Sequence, residues 1–105
     1  MSAHRLPMTH AELMAFANSI DPAVTFDDGR DCLGEPCAVA TGKDGTLSLK
    51  AGVRFSDGTP AVGIDVREGA YEGFGMYSGD AAEVARVVER CSERYGLRGL
   101  QPRLF

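Results

Sequence analysis

Three runs of alternating residues, followed by a helical pattern, constrain the fold more than any other feature of this chain. Residues 46–55 place an apolar side chain at every second position, and residues 61–67 and 70–77 continue the alternation. A period of two predicts strands with one buried face and one solvent-facing face. Because the connections are too short for a crossover helix, we expect an antiparallel meander.

Turn sequences separate these runs. Hairpin turns are expected at residues 42–45, 56–59 and 68–69. In the first of them, Gly45 follows an aspartate and would supply the positive φ that tight turns require. Residues 37–41 form a small, β-compatible run that predicts a fourth strand, whereas the polar residues 26–31 predict a loop.

A helical pattern precedes the strands. Thr9 and Glu12 have the Thr-x-x-Glu spacing of a capping box, in which each side chain satisfies a backbone donor of the first turn. Pro22 ends the pattern, because the residue before a proline is pushed out of the α region. One apolar stripe runs along this helix and consists of Leu13, Phe16, Ala17 and Ile20.

A second helix follows the strands. Asp80 and Glu83 predict another capping box at its start, and Gly96 is a natural C-terminal stop. Its apolar face consists of Ala81, Val84, Val87, Val88, Cys91 and Tyr95. The whole chain, residues 1–105, is therefore predicted to be one α+β domain in two layers. It has an N-terminal helix, a three- to four-stranded antiparallel meander and a C-terminal helix, with both helices on one face of the sheet.

Composition narrows the class of protein. A hydrophobic fraction of 44% and a charged fraction of 25% are ordinary for a soluble globular domain, and no apolar run approaches the ~20 residues that span a bilayer. The first eight residues lack the apolar core of a secretory signal, and three cysteines do not suit a disulfide scaffold. We therefore expect a cytoplasmic protein. The net charge of −4 disfavours nucleic-acid binding, which needs cations to neutralise phosphates.

Glycines at positions 73, 75 and 79 lie between the last strand and the second helix, where a dinucleotide-binding loop would lie. Their spacing is one residue longer than that fingerprint, and no parallel strand follows the helix. Two carboxylates in the first helical turn, Asp80 and Glu83, would also repel a phosphate. We expect no cofactor here.

The same strand offers a contact surface instead. If Phe74 and Met76 face the helices, the outer face receives Tyr71, Gly73, Gly75 and Tyr77. Tyrosines beside glycines suit a protein interface, because tyrosine offers apolar area with a polar tip. A register bulge is the alternative explanation of the glycines.

Acidic residues and a cysteine supply the competing hypothesis, a small enzyme or a ligand- or metal-binding domain. The residues that would carry it are Asp27, Asp28, Asp31 and Cys32, with Asp21 and Glu35 nearby. Paired carboxylates serve acid–base chemistry or hard cations. The spacing does not match an EF-hand, zinc would need further ligands, and no histidine close in sequence would activate the thiol. A solvated acidic loop is the simpler interpretation.

Arginines form a stripe on the second helix, at Arg86, Arg90 and Arg94, and the glutamates between them cancel much of the charge. The stripe is either a salt-bridged solvent face or a contact for an acidic protein. The tail ends in Leu104 and Phe105, which should pack on the domain or on a neighbour. Because catalytic groups are few, we expect an accessory, regulatory or inhibitory protein-binding domain. It would act by steric docking and self-associate as a homodimer.

Overall fold

The structure, a computed structural model, describes residues 9–31, 33–53, 57–68 and 71–98. The elements in chain order are α1 (His10–Ile20), β1 (Asp27–Arg30), β2 (Pro36–Thr41), β3 (Thr46–Val53), β4 (Pro60–Glu68), β5 (Tyr71–Ser78) and α2 (Ala81–Tyr95). The strands form one antiparallel sheet in the order β1-β2-β3-β4-β5. The two-layer α+β fold is confirmed, and the meander has five strands where three or four were predicted.

The additional strand is β1, which occupies residues predicted to be a loop. Asn18 of α1 bonds to both backbone groups of Phe26, the residue before this strand. The Phe26 N–H donates to Asn18 Oδ1 at 2.7 Å, and Asn18 Nδ2 donates to the Phe26 carbonyl at 3.2 Å. The side-chain amide thus occupies the backbone donor and acceptor that a strand neighbour would use. The chain then pairs with β2 from Asp27 opposite Val39 onward. Three charged residues and a glycine suit a short edge strand, which needs no apolar alternation.

One face of the sheet, the inner face, is apolar and carries both helices. In β3 and β4, Leu47 pairs with Val66 and Leu49 pairs with Ile64, and all four side chains are buried. Helix α1 contacts β2 and β3, whereas α2 contacts β3, β4 and β5. The predicted stripes therefore form one core with the sheet. In the part of the chain that is described, neither helix combines the length and hydrophobicity needed to cross a membrane.

The capping box predicted at the start of α1 is present, whereas the one predicted at the start of α2 is present only in part. At α1 the capping box is present: the Glu12 N–H donates to Thr9 Oγ1 at 3.1 Å, and the Thr9 N–H donates to Glu12 Oε1 at 2.9 Å. At α2 Asp80 is the N-cap, but Glu83 does not complete a box. Glu83 instead accepts a 2.6 Å hydrogen bond from the buried Ser78 hydroxyl, which in turn accepts from the Asp80 N–H.

The end of α2 is held by the hairpin between β2 and β3. The Asp44 N–H donates to the Tyr95 carbonyl at 3.0 Å, so the turn satisfies an orphan carbonyl of the last helical turn. Gly96 has the left-handed conformation expected of a C-terminal stop, with φ of 65°. Gly45 does not have the positive φ predicted for it. The hairpin uses glycine for close approach: a Cβ on Gly42 would lie 2.5 Å from the Tyr95 and Gly96 carbonyl oxygens.

This contact predicts opposite outcomes for two glycine substitutions. Gly42→Ala should lower the free energy of unfolding by roughly 1–3 kcal/mol, because the methyl group would overlap the end of α2. The matched control is Gly52→Ala in β3, where an added Cβ meets nothing within 4 Å, and it should be neutral or slightly stabilising. Urea unfolding followed by circular dichroism measures both, and equal effects of the two substitutions would contradict the proposed contact.

Candidate functional site

The sheet face opposite the helices, the outer face, is the first candidate surface in the described chain. At its centre two neighbouring rows of residues cross the strands. Register aligns Lys50, Gly63 and Tyr77 in the first row and Ser48, Asp65 and Gly75 in the second. We call Lys50, Gly63, Asp65, Gly75 and Tyr77 the outer patch. Short side chains and glycines make the patch shallow, with Lys50 and Tyr77 as its two long side chains.

Tyr77 lies flat on the sheet. A Cβ on Gly63 would lie only 3.2 Å from Tyr77 Cε2, so the ring occupies the space above a residue without a side chain. One face of the ring therefore packs on its own sheet, while the side chain stays 45% exposed. Glycine in a strand commonly marks such a close approach.

Lys50 connects the loop between β1 and β2 to the outer face through two ion pairs. Its Nζ donates to Asp31 Oδ2 at 2.7 Å and forms a second ion pair with Glu35. Asp31 also accepts hydrogen bonds from the backbone N–H groups of Leu33 and Glu35, at 2.9 and 2.8 Å. The hydrogen bond from Lys50 and these N–H donors lower the pKa of Asp31, and the Asp31 carboxylate raises the pKa of Lys50.

Leu33 lies in this loop, and Cys37 lies shortly after it in β2. Leu33, at the tip of the loop, is 78% exposed. Cys37 follows the loop in β2 and is buried, although its register places it on the outer side of the sheet. Burial, and then the nearby Asp31 carboxylate, raise the pKa of the Cys37 thiol. The thiol therefore lacks the features of a reactive cysteine, which needs exposure and a stabilised thiolate.

A bulge in β5 breaks the alternation on which the predicted contact surface was based. Register shifts between Val66 and Arg67, which pair with Phe74 and Glu72, so Gly73 has no partner on β4. A Cβ on Gly73 would lie 2.8 Å from the Val66 carbonyl oxygen, which requires glycine there. The bulge was the alternative explanation of the glycines, and it is present.

The shared face predicted for four residues of β5 therefore does not extend along the strand. Gly75 and Tyr77 pair with Asp65 and Gly63 and keep the outer register. The backbone of Tyr71 pairs with Glu68, which does not belong to the alternating series that Gly63 and Asp65 begin. The side chain of Tyr71 lies outside the described part of the structure. Gly75 and Tyr77 keep a common face by these pairings, and the predicted position of the Tyr71 side chain stays a prediction.

The acidic residues of the competing hypothesis are dispersed among structural partners. Asp21 accepts a 2.9 Å hydrogen bond from Arg98 Nε, and Asp28 Oδ1 lies 2.9 Å from His10 Nε2. The Ala23 N–H, and then Arg98, lower the pKa of Asp21. Asp27 is exposed on the edge strand, and Cys32 lies outside the described residues. Within the described ranges, no group of three His, Cys, Asp or Glu side chains could hold a metal ion.

Of the three arginines in the stripe, Arg94 makes contacts within the domain and the other two are exposed. Arg94 Nε donates to Tyr95 Oη at 3.1 Å, and its guanidinium lies 5.5 Å from the centre of that ring. Tyr95 Oη donates in turn to Glu68 at 2.7 Å, and this hydrogen bond raises the pKa of Tyr95. Arg94 therefore helps to fix α2 on β4, whereas Arg86 and Arg90 are exposed. Leu104 and Phe105 lie outside the described residues, so their predicted packing stays a prediction.

Comparison of the chain with protein-family models, with curated proteins and with solved structures gave no match. A function for this chain is therefore inferred from its own geometry.

The Lys50–Asp31 ion pair predicts a specific dependence of stability on pH. Because the folded pKa of Asp31 lies below the 3.8 expected for an unfolded aspartate, its contribution is complete above that pH and is lost as pH falls through the folded value. Asp31→Asn should therefore destabilise the domain at pH 7 and have a smaller effect at pH 3, as measured by urea unfolding. In a Lys50→Gln background, much of this pH dependence should disappear. A dependence that is unchanged in that background would contradict the pairing.

Proposed function

We propose that this domain works by docking on protein, with the outer patch and Leu33 as the contact surface. One observation carries the proposal. The two large apolar side chains that stay exposed in the described chain are Leu33 and Tyr77, at 78% and 45%. Tyr77 lies on the sheet face that no described helix covers, and Leu33 belongs to the loop that Lys50 ties to that face. Exposed apolar residues that border one face favour a binding surface.

The shape of the surface favours a protein over a small molecule. Small ligands bind in concave sites that enclose most of their area. The outer patch is instead a shallow sheet surface with glycine at two of its five positions. A second protein can cover such a surface because its contact area extends over many residues. Tyrosine is a residue type enriched in these contacts.

The loop anchored by Lys50 makes the surface suitable for docking. Leu33 stands between Asp31 and Glu35, both of which are held by Lys50, and the backbone N–H of Leu33 bonds to Asp31. Part of the conformational entropy of the loop is therefore lost on folding and not on binding. A side chain carried by a preorganised loop binds more tightly for that reason. The resulting mechanism is steric: the domain covers, or is covered by, a partner surface, as an accessory, regulatory or inhibitory domain does.

A comparison of three baits tests this function. The full chain and a Leu33→Ser/Tyr77→Ser variant would be used for affinity capture from the source cell, with quantitative mass spectrometry of the bound proteins. The double variant should retain at least about tenfold less of the specific partners, the effect of losing two apolar anchors. Circular dichroism establishes that the variant is folded.

The third bait is an Arg86→Ser/Arg90→Ser variant, which alters the other predicted contact surface and leaves the outer patch intact. It should retain the partners at the level of the unaltered chain. The opposite pattern, with loss on the arginine variant and retention on the Leu33→Ser/Tyr77→Ser variant, would assign docking to α2 and contradict the proposal.

A further inference from the structure

We infer that the partner adds an extended segment to the open edge of β5, and that a lysine or arginine of this segment reaches Asp65. This inference rests on the proposed function, because Gly75 and Tyr77 of the outer patch lie on β5. It adds the conformation of the partner and the charge of one of its side chains. In strand addition, main-chain hydrogen bonds supply affinity and alternate side chains supply specificity.

Strand β5 is an edge of the described sheet, and no described strand pairs with its far side. It has eight residues and contains neither lysine nor proline, the residue types that commonly protect an edge. Every second residue of an edge strand directs its N–H and C=O groups away from the sheet. In the described chain, and apart from the pairing with β4, no loop or side chain bonds to the backbone of Gly73, Gly75 or Met76. An extended backbone is the complement of such an edge.

The opposite edge of the sheet, β1, is protected in several ways. It has four residues, and three of them are charged. The side-chain amide of Asn18 also occupies the backbone N–H and C=O of Phe26, directly before the strand. Short length and charge are the means by which edge strands avoid pairing with other chains. Of the two edges, β5 is therefore the one that suits an added strand.

The side chains of β5 leave this edge uncovered on the outer face. The Tyr77 ring lies over Gly63 of β4, so it leans toward the centre of the sheet and away from the edge. Gly73 and Gly75 are exposed and have no side chain. The bulge at Gly73 interrupts the pairing with β4, but residues 74–78 stay in regular register with residues 62–66. A segment of about five residues can pair along this regular part.

The carboxylate of Asp65 borders the space above Gly75, since a Cβ on Gly75 would lie 3.7 Å from Asp65 Oδ1. The Asp65 side chain is 45% exposed, and its ion pair with Arg67 is long, at 3.6 Å. An added strand would lie about 4.8 Å beyond β5 and therefore about 9.6 Å from β4. Because Gly75 has no side chain, a long basic side chain on the added strand can cross this gap to Asp65. The partner segment should therefore carry lysine or arginine opposite Gly75.

Peptides selected from a displayed library of random heptamers against the full chain supply the probes for a test. The selected peptides should share a lysine or arginine at one fixed position. Each peptide is then synthesised with N-methyl groups on alternate residues, in the two possible phases. One phase removes the N–H groups that bond to β5 and should weaken binding at least about tenfold. The other phase faces solvent and should have little effect.

Asp65→Asn tests the charge contact. It should weaken binding of a lysine peptide up to about fivefold at low salt, with a smaller effect at high salt. The same peptide with glutamine in place of lysine should bind equally to both forms of the chain. Glu89→Gln, exposed on α2, makes the same change in net charge and is the matched control. It should leave the binding of both peptides unchanged.

A selection that yields no binding peptide, or equal losses in the two N-methyl phases, would overturn strand addition. A mass of twice 11.2 kDa by light scattering, with protection of alternate β5 amides in the chain alone, would assign the edge to a second copy and also overturn it. These results leave the docking function to the three-bait comparison, which alters Leu33 and Tyr77 and not the backbone of β5. Peptides that meet both expectations, with baits that show no difference, would support strand addition and remove those two side chains as contacts.

Discussion

The position of α2 on the inner face of the sheet determines much of the remaining architecture. Its first turn is joined to the end of β5 through Ser78, and its last turn is joined to the β2–β3 hairpin through backbone hydrogen bonds. Between these ends, Val84 and Val88 are completely buried in the core. A helix held at both ends cannot shift along the sheet without losing one of these contacts. With α1 on the same face, the outer face is left without a described helix.

The parts of the fold that sequence could predict are those set by local periodicity. A period of two in β3 and β4 places Leu47, Leu49 and Ile64 on one face, and the helical stripes place their apolar residues against them. The capping box at Thr9 is local for the same reason, because its members are three residues apart. Each of these features depends on neighbours in the chain, which the sequence displays directly.

The features that sequence could not predict depend on contacts between distant residues. Strand β1 requires Asn18 eight residues before Phe26, and the hairpin at Gly42 is shaped by Gly96. The carboxylates grouped in sequence separate in space, since Asp21 pairs with Arg98 and Asp31 with Lys50. The outer patch was predicted only in part. Alternation located Gly75 and Tyr77, but Lys50, Asp65 and Leu33 became candidates only once register and the loop were known.

Docking through the outer patch is tested most directly by amide chemical shifts measured while a captured partner is added to the labelled chain. A series of ¹H–¹⁵N spectra at rising partner concentration should show the largest changes at Gly63, Gly75 and Tyr77, because these residues pass from a solvated to a covered environment. Amides on the exposed side of α2, such as those of Arg86 and Arg90, should remain unchanged. Shifts confined to α2, or no shifts at any residue, would contradict docking through the outer patch.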